Sequence, residues 1–180
     1  MKSIANKPAP KTEDSGEKKS GKLQVTTPSD REIAMTRVFD APRSLVFDAF
    51  TKPELLKRWL GVRGGWSFAV CEVDLKVGGK YRYVWRGPKG QEMGMGGVFR
   101  EVTRPQRVVC SEKFDESWYE GEAVDTMTFV ERKGKTTATT TVLYVSKAVR
   151  DGVLKSPMDK GVAESYDKLD EVLAALSDRK

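Results

Sequence analysis

Residues 80–102 read KYRYVWRGPKGQEMGMGGVFREV. Two strand-like runs flank Gly87-Pro88-Lys89-Gly90, a composition suited to a hairpin turn. The first run alternates, with Tyr81, Tyr83 and Trp85 on one face and Arg82 and Arg86 on the other. The second sets Met93 and Met95 among Gly94, Gly96 and Gly97. Glycine packs nothing and loses the most backbone entropy on folding, so a strand interior normally avoids it. Two demands would favour it here. A strongly curved sheet needs glycine kinks and bulges, or else something approaches the strand closely, with the two methionines as its adaptable walls.

The same period continues on both sides of this hairpin. Strands are predicted near 67–74, 79–86, 92–102, 106–114, 123–132 and 135–145, separated by turn signals at Lys76-Val-Gly-Gly, Thr103-Arg-Pro-Gln and Lys133-Gly. Consecutive hairpins of this kind make an antiparallel meander. Before it, REIAMTRVF (31–39) alternates as one more strand. Asp40-Ala-Pro-Arg then offers an N-cap to a helix carrying Leu45, Val46, Ala49 and Phe50, and Pro53 should split that helix in two. After the meander, MDKGVAESYDKLDEVLAALS places Met158, Val162, Tyr166, Leu169, Leu173 and Leu176 on one stripe, the pattern of a long amphipathic helix. Its apolar face needs a partner, and a face of the sheet is the large one on offer. The expected fold class is α+β, with about seven antiparallel strands, two short helices and a long C-terminal helix over a curved sheet.

The chain has 180 residues, 38% hydrophobic and 32% charged, which suits one folded domain. Residues 1–29 hold six lysines against three acids and almost nothing to bury, so a disordered basic tail is expected there, with the domain spanning 30–180. The net charge of +6 divides evenly between tail and body, and in the body both signs are interspersed. That footprint argues against specific nucleic-acid binding. No apolar run approaches the roughly 18 residues of a membrane span, and the N-terminus has no apolar signal core, so a cytoplasmic location without membrane insertion is expected.

The chain contains no histidine, which excludes Ser-His-Asp and Cys-His nucleophile systems. Cys71 and Cys110 lie far from any paired-cysteine motif and read as buried thiols, so a zinc site is not expected. Gly94-Met95-Gly96-Gly97 has no helix start after it, so it is no phosphate loop, and no cofactor is expected. Any catalysis would rest on carboxylates, Tyr or Lys. Glu101, Glu112 and Glu131 fall inside predicted strands. One that points inward would have a pKa raised toward general-base values, and one that points outward would be an ordinary solvated group. The loop Asp115–Glu122, with Trp118 and Tyr119, reads either as a cavity gate or as a solvated link.

Three stretches carry a family resemblance: PRSLVFDAFTKPELLKRWL, CEVDLKVGGKYRYVWRGPKGQEMGMGGVFREVTRPQRVVCSEKF and SPMDKGVAESYDKLDEVLAAL. They resemble the prokaryotic branch of the SRPBCC (START and birch-pollen-allergen-like) superfamily related to the C-terminal domain of the heat-shock-protein-90 ATPase activator. The resemblance spans about residues 31–177 and implies a helix-grip fold, in which sheet and long helix enclose a cavity. Such a cavity would draw its wall from Phe50, Trp59, Tyr83, Trp85, Met93, Met95, Phe99, Met127, Met158, Val162 and Tyr166. Trp59 reads either as a core anchor or as a lid at the mouth. The implied function is binding of an apolar or aromatic small molecule, as carrier, sensor or stress-related protein. Whether the chain is an enzyme stays open: a cyclase or hydrolase using a cavity carboxylate is the alternative. A chaperone partner is a third reading, against which stands the separate N-terminal domain of the eukaryotic activator, for which a 29-residue tail is no substitute.

Overall fold

The computed structural model describes residues 21–117 and 119–178. Trp118 and the first twenty residues of the expected tail lie outside the described residues. The elements run β1 (Gln24–Thr26), β2 (Glu32–Phe39), α1 (Arg43–Thr51), α2 (Pro53–Leu56), β3 (Ser67–Val73), β4 (Lys80–Arg86), β5 (Glu92–Thr103), β6 (Arg107–Phe114), β7 (Ala123–Arg132), β8 (Lys135–Leu143), α3 (Lys147–Leu154) and α4 (Met158–Ser177). Among the described residues eight strands form one antiparallel sheet in the order β1-β2-β8-β7-β6-β5-β4-β3. The meander β3 to β8 is therefore closed by β2, which pairs with the last strand and not the nearest one. That single long connection, through α1 and α2, carries the helices across the concave side of the sheet.

Two elements depart from the expectations. The folded unit starts before Asp30: Gln24–Thr26 pair with Thr36–Ala34 as a short edge strand. Its neighbour Leu23 packs against the core, which a reading of composition alone overlooks, and β1 covers an edge of β2 that would otherwise be unpaired. The second is α3, which follows directly on β8 where strand was expected to reach residue 145. Ser146 caps it, its Oγ accepting from the Val149 N–H at 3.2 Å. Asp40, by contrast, does not cap α1. Pro42 occupies that position, its carbonyl receiving Leu45 and Val46, while Asp40 pairs with Lys135 at 3.3 Å.

The core is aromatic. Phe50 of α1 stands among Trp59, Phe129, Tyr166 and Phe39, with ring centroids 4.9, 5.2, 5.9 and 6.3 Å away. Edge-to-face packing of this kind adds to the burial of large rings. Helix α4 is gripped differently along its length. Its C-terminal half seals completely, with Leu169, Val172 and Leu173 buried. Beside this stretch Arg37 reaches from β2, 4% exposed, to donate to Asp167 at 2.7 Å and also to Asp170. No described helix is long and apolar enough to cross a membrane.

Candidate functional site

The hairpin β4–β5 shows what its glycines are for. In register, Trp85 faces Met93, Tyr83 faces Met95 and Tyr81 faces Gly97, so the aromatic row of β4 lies beside a methionine, methionine, glycine row of β5. Tyr81 leans over Gly97 and donates its hydroxyl to the Ser111 carbonyl on β6 at 2.8 Å. A Cβ on Gly97 would sit 1.8 Å from that same carbonyl and 2.9 Å from the Tyr81 ring. One on Gly96 would stand 2.8 Å from the Tyr81 carbonyl, and one on Gly94 would collide with Asp115, which pairs with Arg82. What approaches the glycines is the neighbouring strands. Close packing of the neighbouring strands thus accounts for Gly94, Gly96 and Gly97, while Met93 and Met95 stand on the same face as Tyr83 and Trp85 and line the concave side.

Over the concave face, the N-terminal half of α4 does not close onto the sheet. Its inward stripe there runs Met158, Gly161, Val162 and Ser165, mostly small side chains opposite Tyr81, Tyr83 and Trp85, and a cavity of about 550 Å³ remains. Ligand sites in proteins typically measure about 300–1,000 Å³. The structure places all eleven residues named from the sequence on this wall: Phe50 and Trp59 from the α1–α2 side, Tyr83, Trp85, Met93, Met95, Phe99 and Met127 from the sheet, and Met158, Val162 and Tyr166 from α4. Trp59 is 2% exposed and donates Nε1 to the Ala49 carbonyl at 2.9 Å, so it is a core anchor whose ring also forms wall, and not a lid at the mouth. The rim is made by Met93, 44% exposed, and by Arg63, whose guanidinium bridges to Glu164 of α4 at 2.8 Å.

Two carboxyl groups stand in this apolar chamber. Glu112 of β6 and Asp125 of β7 are diagonal neighbours on the inward face, since Cys110 pairs with Asp125 and Glu112 with Ala123. The Tyr119 hydroxyl donates to Glu112 at 2.8 Å. Asp125 is 9% exposed, and its Oδ1 receives no hydrogen bond from a donor among the described residues. Burial first, then the neighbouring Glu112 carboxyl, pushes Asp125 well above the usual carboxylate range. Glu112 is raised by burial as well, with the Tyr119 and Asp125 hydrogen bonds opposing. Two negative charges this close in an apolar site cannot both persist, so the pair retains a proton. The surrounding Tyr81, Tyr83, Tyr144 and Cys110 are also pushed upward by burial and stay neutral.

Of the three strand glutamates, Glu112 is the inward one. Glu101 pairs with Arg107 at 3.1 Å, and Glu131 accepts the Arg43 N–H at 2.7 Å, both at the surface. Asp125 was not among the sequence candidates. Its signal was parity, since it shares a face with Ala123, Met127 and Phe129, all inward. Both cysteines are free and buried, and burial holds the Cys71 thiol up to about 11. No group of three or more cysteine, aspartate or glutamate side chains among the described residues could hold a metal.

A curved antiparallel sheet gripping a long C-terminal helix over a chamber defines a protein of the helix-grip class. Residues 40–174 match the family described as "Activator of Hsp90 ATPase homolog 1-like protein", and the chain belongs to that family. Similar solved structures include a Rhodobacter sphaeroides protein, 33% identical with a TM-score of 0.81, the match covering 85% of this chain and 98% of that one. A Mycobacterium smegmatis protein, 22% identical with a TM-score of 0.75, is matched over 86% of this chain and 99% of its own. An HSP90 activator from Plasmodium falciparum is 26% identical with a TM-score of 0.59, over 80% and 96%. No curated protein matches the chain.

Proposed function

We propose that this protein binds an apolar or aromatic small molecule in the chamber under α4. The observation that carries the reading is the failure of α4 to seal: one half of the helix packs to near-complete burial while the other leaves about 550 Å³ lined by aromatic and methionine side chains. Unfilled apolar volume of this size costs stability, so a fold that keeps it has a use for it. Such walls, with few polar groups, are the composition of small-molecule sites.

The test is a titration with the uncharged fluorophore N-phenyl-1-naphthylamine on the wild type and on Val162→Trp, which fills the chamber from the helix side. Saturable fluorescence enhancement in the wild type and its loss in a still-folded Val162→Trp are expected. Equal enhancement in both would remove the chamber as the site.

A second reading is supported by the carboxyl pair. One protonated and one ionised carboxyl in an apolar chamber can give and take a proton on a bound molecule, the requirement of cyclase- or hydrolase-like chemistry. The HSP90-activator reading has less support. Among the described residues the exposed large apolar side chains include Val25, Val77, Val130 and Leu154, which belong to separate elements.

A further inference from the structure

Glu112 and Asp125 stand in the chamber with no basic partner. Arg63 is the one cation among the described lining residues, and it sits half-exposed at the rim, already paired to Glu164. The groups around Asp125 are Glu112, Cys110 and the hydroxyls of Tyr81, Tyr83, Tyr119, Tyr144 and Tyr166, none of them cationic. Buried acids are ordinarily paired, because an unpaired buried carboxyl gives up its hydration for nothing. Here the pairing is left half made: Tyr119 serves Glu112, whereas Asp125, a residue of the chamber wall, has a buried Oδ1 that receives no hydrogen bond from a donor among the described residues.

We propose that the Glu112–Asp125 pair is a cation-recognition subsite and that the chamber's ligand is an apolar or aromatic amine, its ammonium group seated between the two carboxylates. The proposal rests on the ligand-binding reading of the chamber. An ammonium group supplies several N–H donors and a positive charge together, which meets both deficits of the pair. A hydroxyl supplies one donor and leaves the charge, and a carboxylate adds a third acid. A bare metal ion is disfavoured because the pair offers too few ligands for a closed shell. Tyr81 and Tyr83 lie near Asp125 and offer aromatic rings suited to a cation, and Trp85 farther along the wall adds apolar surface for the remainder of the ligand.

Seating the ammonium has a proton balance. The free pair holds one shared proton, the amine enters as R–NH3+, both carboxylates end ionised, and the shared proton leaves to solvent. Affinity should therefore rise with pH until the amine itself loses its charge.

The experiment uses phenylbutylamine, phenylbutanol and phenylbutyrate, equal in chain and differing in head group, titrated calorimetrically into the full chain near neutral pH. The amine is expected to bind about tenfold or more tighter than the alcohol, the worth of a charge-assisted hydrogen bond, with the acid weakest. Repeating the amine titration in buffers of different ionisation enthalpy should reveal proton release. In Asp125→Asn the amine preference over the alcohol should collapse while alcohol binding persists, and Glu112→Gln provides the same check if the first variant folds poorly. Alcohol bound as well as amine, or a preference surviving both substitutions, overturns the proposal while leaving the chamber reading intact. Failure of the whole series while the naphthyl probe binds also overturns it, and failure of both overturns the two together.

Discussion

Asp125 is where the energetics of single residues matter most. The Glu112–Asp125 pair keeps a proton in the fold that the unfolded chain releases near its ordinary carboxylate pKa of about 4. The pair's contribution to stability is complete below that pH and is lost as pH rises through the folded pair's titration, because over that window the native state binds more protons than the unfolded one. Asp125→Asn replaces a mutually repelling pair by an amide that donates to Glu112. It should raise stability at about pH 8 by about 1–2 kcal/mol and flatten the alkaline decline, measured by urea unfolding across pH. A decline as steep in the variant as in the wild type would contradict the assignment. At Gly97 the prediction is steric: Gly97→Val drives a side chain into the Ser111 carbonyl, with an expected cost of about 3 kcal/mol or more. A neutral thermal melt would refute the close approach.

Among the elements, α4 and its anchors are the decisive ones. Arg37 ties the helix to β2 through Asp167 and Asp170, and burial holds the Asp170 carboxyl above its ordinary value even though Arg37 pulls it down. Since both acids keep some exposure, Arg37→Ala should cost about 1–3 kcal/mol and speed amide exchange along α4 more than along β7 and β8. Uniform exchange changes across all three would mean that the anchor is not local. The meander and α4 were legible because each is long enough for its period to repeat, two in the strands and 3.6 in the helix. β1 was not, being three residues in a polar segment whose pairing depends on an edge strand far along the chain. Nor was α3, where the Ser146 cap was overlooked in favour of continued strand. Naming the chamber's apolar wall drew on the family resemblance as well as on alternation in the strands and the stripe of α4. The carboxyl pair could not be fully named, because Asp125 becomes chemically notable only when β6 and β7 register it against Glu112.

For the whole molecule, glycines let the strands around the β4–β5 hairpin pack closely, one half of α4 seals the core, and the other half roofs a chamber of about 550 Å³. The most direct measurement is native mass spectrometry of the protein purified gently from its own host, followed by denaturation and identification of whatever is released. The expected result is one added mass per chain, belonging to an apolar or aromatic molecule that is lost on denaturation and absent from Val162→Trp. A homogeneous unliganded mass, from a protein that also fails to take up an uncharged aromatic probe, would contradict it.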